Sequence, residues 1–208
     1  MYNRIKRLLY YSIYMKFIEA NHDSFFKDIE NPWSIWWEEE VERIHHLLWK
    51  WKIFDLGFGV GRHVKQLLDL WHNVGGIDLS EIWYMRLLND LNQKNQSAQL
   101  SNGNMFDYKF IENYDCIFSN MSLQYASSEE QFSDMICKMK KYTNKWWINY
   151  IKLPAQGMSL WFPYKILDLD ALKSYYSDWE IMFDNYEKML KENGKFWVYV
   201  TIIARKKS

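Results

Sequence analysis

Lys52-Ile53-Phe54-Asp55-Leu56-Gly57-Phe58-Gly59-Val60-Gly61-Arg62 is the stretch on which the fold turns. Its first half is apolar and suits a strand, and its second half places glycine at three alternate positions. The residues that follow, Val64, Leu67, Leu68 and Trp71, recur at helical spacing. Strand, tight turn and helix are therefore specified in that order.

Outward from this stretch the alternation continues in both directions. Upstream, an opening helical region ends near Asn31-Pro32. Ser34 is placed to cap a helix running to about Leu48, with Glu38-Glu39-Glu40 in the early turns where acids complement the helix dipole. Downstream come a strand from Val74 to Ile77, a helix from Ser80 to about Lys94, and strands near Ala98 to Ser101 and from Tyr114 to Ser119. Ser127-Ser128-Glu129-Glu130 opens a further helix as a serine cap backed by acids; Trp146 to Ile151 reads as a strand and Leu169 to Tyr176 as a short helix. Trp179 to Tyr186 and Phe196 to Ala204 read as two strands joined at Glu192-Asn193-Gly194-Lys195, where Asn-Gly is a favoured hairpin dipeptide. Strands alternating with helices imply right-handed crossovers. The expected class is α/β: a single-domain, Rossmann-like, doubly wound sheet of seven strands, mostly parallel, with an antiparallel C-terminal hairpin strand. Residues 1–50 are expected to be an N-terminal helical or lid region of that same domain, and 51–208 its body. Ligands of such sheets sit beyond the carboxyl ends of the central strands, so the loops after Leu56, Ile77, Ser101, Ser119 and Ile151 are where chemistry belongs.

Gly57, Gly59 and Gly61 allow a tight turn and let a ligand approach main-chain N–H groups that a Cβ would shield. Asp78 ends the next strand, where a carboxylate can take both hydroxyls of a ribose. Two nucleoside cofactors could use this geometry. A dinucleotide site normally reads G-x-G-x-x-G because a pyrophosphate rides on the helix N-terminus, whereas the spacing here is G-x-G-x-G. Asp55, two residues before the first glycine, would repel a phosphate and suits a ligand carrying an ammonium and a sulfonium. Spacing and charge together favour S-adenosylmethionine over NAD.

Lys52 to Arg62, followed by Gly76-Ile77-Asp78-Leu79-Ser80, resembles the first two motifs of class I S-adenosylmethionine-dependent methyltransferases. Asn102-Gly103-Asn104-Met105-Phe106-Asp107 resembles that superfamily's third, acidic loop, and Tyr114-Asp115-Cys116-Ile117-Phe118-Ser119 its fourth strand. Within the superfamily the chain is most similar to the tellurite-resistance methyltransferases. Leu160-Trp161-Phe162-Pro163-Tyr164, the run Ala171 to Glu180 and the final Ala204-Arg205-Lys206-Lys207 resemble that family's C-terminal third. The resemblance implies a cofactor site of Asp55, Gly57, Phe58, Gly59, Gly61, Arg62, Asp78, Leu79, Asn104, Met105, Phe106 and Ser119. It places Tyr125, Trp161, Phe162 and Tyr164 toward the substrate. Asn104 stands where an aspartate is usual and can still accept from an adenine amino group and donate to a ring nitrogen. Other departures are Phe58 for a small residue, Asn144-Lys145-Trp146-Trp147 for a Lys-Pro-Gly-Gly turn, and Lys188-Met189 for a polar His-Arg pair.

Composition narrows the partners. The 208 residues carry 26 basic and 26 acidic side chains, so the net positive field of most nucleic-acid binders is missing. No run reaches the roughly 18 apolar residues of a spanning helix. The charged and apolar start, Met1 to Phe17, lacks a small-residue cleavage site, and an amphipathic helix is the preferred reading over a signal peptide. Cys116 and Cys137 lie in apolar-rich segments without metal-like spacing and are expected to be buried free thiols, with no disulfide and no metal. His45, His46, His63 and His72 fall on expected helices as exposed or half-buried residues; His63 and Arg62 are also candidates to meet a methionine carboxylate, and His22 a lid residue. Trp33, Trp36 and Trp37 are either core or a lid. Twelve Trp, 15 Tyr and 12 Phe must do much of the packing, with some tryptophans only partly buried. Arg205-Lys206-Lys207 is expected as a solvated end.

The function these features imply is in-line methyl transfer from S-adenosylmethionine, leaving S-adenosylhomocysteine, to a small-molecule acceptor such as tellurite, selenite or a thiol. Alignment and desolvation can supply up to about 7–11 kcal/mol of such a barrier, so no general base is required and no catalytic residue is singled out. A cytoplasmic monomer or homodimer is expected, without nucleic-acid or membrane partners. The alternative is a catalytically inactive, methyltransferase-like binding or regulatory subunit in which Phe58 or Trp146-Trp147 obstructs the site. An NAD-dependent oxidoreductase is disfavoured by the glycine spacing and by Asp55.

Overall fold

A computed structural model of the chain describes residues 34–47, 50–155, 168–190 and 196–207. The chain divides after Leu47 into two compact units. Of the first, the structure describes helix α1 (Ser34–His45), which stops short of the expected Leu48. The second contains a sheet of seven strands, β1 (Lys52–Leu56), β2 (Asn73–Asp78), β3 (Gln99–Asn102), β4 (Tyr114–Asn120), β5 (Thr143–Pro154), β6 (Glu180–Leu190) and β7 (Phe196–Arg205). Helices α2 (Arg62–Asp69), α3 (Glu81–Gln93), α4 (Glu129–Tyr142) and α5 (Leu169–Ser174) connect them. The order across the sheet is β3-β2-β1-β4-β5-β7-β6. β1 to β5 run parallel, and β7 lies antiparallel between β5 and β6. The α/β, doubly wound, seven-stranded expectation holds. Winding leaves β1 in both directions, which opens a crevice beyond the carboxyl ends of β1 and β4.

Local chemistry places the helices. Ser80 caps α3 by accepting from the Trp83 N–H at 3.3 Å. Ser128 caps α4 by accepting from the Gln131 N–H at 3.1 Å, while Gln131 reaches back to accept from the Ser127 N–H at 2.7 Å. This reciprocal pair satisfies donors that a helix start leaves open.

Side chains alternate across the strands, and the two sheet faces differ accordingly. Phe54, Leu56, Ile117, Ile151 and Val200 face α4 and α5, where Phe132, Met135, Ile136, Met139 and Leu172 complete one core. Phe54 supplies much of the aromatic packing there: its ring lies 4.8 to 5.2 Å from those of Tyr108, Phe110 and Tyr114. On the other face Phe118 stacks on Tyr150 at 4.6 Å and meets His63 of α2 at 4.9 Å. One polar knot crosses the first core. Asn149, fully buried, donates to Thr143 Oγ1 at 2.6 Å and accepts from the Tyr176 hydroxyl at 3.0 Å, while Thr143 Oγ1 donates to the Met139 carbonyl. A knot so fully paired fixes β5 against the ends of α4 and α5.

Three expectations change. Cys137 is exposed on α4 while Cys116 is buried, and both thiols are free. Lys206 is no solvated end: its ammonium donates to the carbonyls of Lys140 and Thr143, each at 2.7 Å, capping the last turn of α4. His72 is buried, and its Nδ1 accepts from the Trp51 N–H at 3.1 Å, because the chain leaves α2 before reaching it. The tryptophans divide. Trp71 is 83% exposed, but Trp51 is buried with its indole N–H unpartnered.

Trp146, three residues into β5, has φ +72° and is 64% exposed. Main-chain bonds with Lys206 on either side hold it in this left-handed conformation, which costs a side-chain-bearing residue about 1–2 kcal/mol. The Trp146→Gly variant is therefore expected to be more stable by about 0.5–1 kcal/mol, after the entropy a glycine adds to the unfolded chain. A thermal melt should show a rise of roughly 2–3 °C. A fall would mean that the exposed indole contributes packing that outweighs the strain.

Candidate cofactor site

The loop between β1 and α2 is held by its own main chain. The Gly57 N–H donates to the Ile77 carbonyl at 2.8 Å and the Gly61 N–H to the Phe58 carbonyl at 2.9 Å. The Gly59 N–H donates to Asp78 Oδ2 at 2.7 Å, and the other Asp78 oxygen accepts from the Ser80 N–H at 2.8 Å. Asp78 thus fastens the glycine loop to the start of α3.

Gly57, Gly59 and Gly61 have φ values of +77°, +53° and +75°, yet they are glycines for different reasons. A Cβ on Gly57 would fall 2.5 Å from the Cβ of Ser122, and one on Gly61 would fall 2.4 Å from a Leu87 methyl. A Cβ on Gly59 would meet nothing within 4 Å. Protein packing accounts for the outer two glycines. The middle one faces open space, flanked by the Asp78 carboxylate.

Asp55 lies one strand away from Asp78, paired in register with Gly76 of β2 and Phe118 of β4. It is buried, and its Oδ2 has no hydrogen-bond partner. Burial pushes its pKa well above the usual carboxylate range, and the negative field of Asp78 raises it further. Gly76 makes that burial possible, since a Cβ there would fall 3.0 Å from the Phe58 ring. Phe58 is itself buried, folded against β2 beside Asp55. Trp146 and Trp147 belong to the amino end of β5, where Trp147 meets Trp51 edge-on at 5.1 Å, the opposite end of the sheet from the glycine loop.

The third loop approaches from β3. Asn102 donates through its amide to the carbonyls of Asp78 and Leu79 at 3.0 and 3.1 Å, and the Gly103 N–H donates to Asp78 O at 2.9 Å. Asn104 caps the short turn Met105–Asp107, its Oδ1 accepting from the Phe106 N–H at 3.1 Å. One side of its amide oxygen is thereby occupied. Met105 and Phe106 are buried, while Leu79 is 43% exposed beside Asp78.

Ser119 and His63 are both bonded to neighbouring protein groups. Ser119 is fully buried and its hydroxyl pairs with Ser122 at 2.7 Å, an internal bond that braces the floor under Gly57. His63 is buried against Phe118 with Nε2 3.2 Å from the Asn120 amide. Burial, followed by the positive fields of Arg62 and Lys152, lowers its pKa to about 3. It is neutral at pH 7 and cannot serve as a cationic partner for a carboxylate. Arg62 is half-buried at the start of α2 and stays charged. Tyr125 is half-buried after β4 and packs on the α4 core. Trp161, Phe162, Tyr164, His22 and Trp33 lie outside the described residues, as do the side chains of Trp36, Trp37, Lys188 and Met189. Two side chains that sequence reading passed over stand at the same edge, Asn120 ending β4 and Lys152 opposite it on β5. A lone lysine inside Ile148-Asn149-Tyr150-Ile151-Lys152-Leu153-Pro154 was the available signal.

The model of the family described as tellurite resistance protein TehB matches residues 18–195. The chain belongs to the TehB family. Among solved structures it is similar to TehB from Haemophilus influenzae at 26% identity and TM-score 0.75, covering 89% of this chain and 66% of that one. This chain thus spans slightly under two thirds of the length of that relative. The N-methyltransferase NodS from Bradyrhizobium japonicum WM9, solved with S-adenosyl-L-homocysteine, shares the fold at 13% identity and TM-score 0.75, over 95% of this chain and 98% of its own. The [4+2]-cyclase SpnF also shares it, at 12% identity and TM-score 0.69, over 86% and 84%. A fold used for both methyl transfer and cyclisation does not name a reaction, so the reaction must be argued from the site. Comparison with curated proteins gives no match.

Proposed function

We propose that this TehB-family chain is an S-adenosylmethionine-dependent methyltransferase acting on a small acceptor, a soft oxyanion such as tellurite or selenite or a thiol. The observation that carries this reading is the open space over Gly59 beside the Asp78 carboxylate. The residues fit the cofactor: Asp78 offers a carboxylate to a ribose, and the unpartnered Asp55 Oδ2 is a buried acceptor suited to an ammonium. Leu79, Met105 and Phe106 would border the adenine, with the Asn104 amide donating to it. The cofactor supplies a methyl group already activated by a sulfonium. The chain's own part is to bind, orient and exclude water: Asp78 holds the loop in place, and the Phe118, Tyr150 and His63 rings form a dry wall beside it. His63 is neutral and buried, and burial raises the Asp55 pKa well above its ordinary value, so neither offers the exposed base that an acceptor needing deprotonation would require.

The test is a thermal-shift titration with S-adenosylmethionine and S-adenosylhomocysteine, with NAD as control, followed by assay of S-adenosylhomocysteine release with tellurite, selenite and thiols. Ligand at 100 times its dissociation constant adds about 2.7 kcal/mol, roughly 5–10 °C for a chain of this size. Shifts with both sulfur ligands and none with NAD are expected. A shift without turnover on any acceptor would point instead to a binding or regulatory protein. The cytoplasm is proposed as the place of action.

A further inference from the structure

Resting on the methyltransferase reading above, we propose that Lys152 binds the negative charge of the methyl acceptor, and that Glu187 holds Lys152 in reserve until an anion displaces it. Lys152 sits where an acceptor would arrive. It is opposite Asn120 in the β4–β5 register, and its carbonyl accepts from the Met121 N–H at 2.9 Å. Asn120 in turn bonds His63, in the first turn of the helix that leaves the glycine loop. The Lys152 side chain is only 12% exposed, its ammonium 3.2 Å from Glu187 Oε2 and 5.3 Å from the centre of the Tyr199 ring. Glu187 is steadied by the Asn185 amide, which donates to its other oxygen at 3.0 Å.

A half-buried ion pair such as this one adds little to stability, because desolvating the charges offsets most of their attraction. Its position at the carboxyl ends of β4 and β5, the edge at which doubly wound sheets bind ligands, gives it another use. Lysine suits that use. A compact charge on a flexible stem can leave one oxyanion for another, and His63 beside it is neutral and offers no competing positive charge. Glu187 would act as a selector: it competes with anionic acceptors for Lys152, and a neutral thiol makes no claim on the pair. Lys152 is on this account a specificity-determining residue for anionic acceptors.

Calorimetric titration of selenite into the protein saturated with S-adenosylhomocysteine tests this without turnover. Lys152→Met should weaken selenite binding at least tenfold, and Glu187→Gln should tighten it several-fold by removing the competing carboxylate. S-Adenosylhomocysteine affinity should stay as in the parent for both. The double variant, Lys152→Met with Glu187→Gln, removes both charges and controls for folding; it should melt like the parent and still bind selenite weakly. A merely structural pair predicts the same loss for Glu187→Gln as for Lys152→Met, and that result, or unchanged selenite affinity in Lys152→Met, overturns the proposal. Failure of the parent to bind S-adenosylhomocysteine would overturn the methyltransferase reading instead, and selenite titrated alone would still report on Lys152.

Discussion

Gly57→Ala should lower the melting temperature by on the order of 10 °C, while Gly59→Ala, the same change two residues later, should leave the fold intact and deprive it of cofactor. At Gly57 the new methyl group would fall 2.5 Å from the Ser122 Cβ, an atom fixed to the main chain and unable to rotate away. Ser122 cannot retreat easily, because its hydroxyl is bonded to buried Ser119. Overpacking of this kind costs about 1–3 kcal/mol, and a side chain at φ +77° adds about 1–2 kcal/mol more. Together these take a large fraction of the 5–15 kcal/mol that keeps a domain folded, and a fall in melting temperature on the order of 10 °C is expected. At Gly59 only the backbone cost applies, about 1 kcal/mol, since nothing lies within 4 Å of the added carbon. Its methyl group occupies the space assigned to the cofactor, so affinity for S-adenosylhomocysteine should fall at least tenfold with little change in the melt. Melting curves and calorimetric titrations of the two variants separate the cases. Full cofactor affinity in Gly59→Ala would remove the loop from the site.

That contrast marks where the sequence stopped being informative. Three alternate glycines announced the strand, turn and helix, and the seven strands followed from alternating apolar runs and serine caps, because those signals repeat over many residues. The glycines look identical in the sequence, yet Ser122 dictates one, Leu87 another and open space the third. Those partners come from later elements, and nothing local points to them. Ser119 shows the same limit: its place at the end of β4 was legible, but its bond to Ser122 depends on a turn after the strand. His63 and His72 were read by helix position and turned out to be buried, since tertiary contacts with Phe118, Asn120 and Trp51 decide their environment. Trp146 carries a left-handed backbone that nothing in its identity suggests, because the bonds holding it there come from Lys206. Lys152 was visible as a lone charge in an apolar strand, but its meaning needed Glu187 from β6.

Asp55→Asn should make the ligand-free protein more stable and the cofactor complex weaker. Asp55 is buried with one oxygen unpartnered, and the groups facing it offer no positive charge: Asp78 from β2, Cys116 from β4 and the Phe58 ring over Gly76. Its folded pKa is raised above the ordinary value near 3.9, so the native protein keeps a proton that the unfolded chain gives up. The stability contributed by that proton is fully present below about pH 4 and is lost as pH rises toward the folded pKa, at up to about 1.4 kcal/mol per pH unit. An amide of the same shape has no such loss. At pH 8 the variant should exceed the parent by about 1–2 kcal/mol, roughly 2–6 °C, and the gap should shrink toward pH 4. For the cofactor the sign reverses. An ammonium meeting the carboxylate favours its ionised form, so the parent should release a proton on binding and bind more tightly as pH rises. The variant loses a charge-assisted hydrogen bond worth about 1.5–3 kcal/mol, a tenfold or greater fall in affinity. Titrations of S-adenosylhomocysteine in two buffers of different ionisation enthalpy read the proton release directly. A variant that melts below the parent at pH 8, with proton release unchanged, would show that Asp55 is ionised in the free protein and holds the loop as a charge.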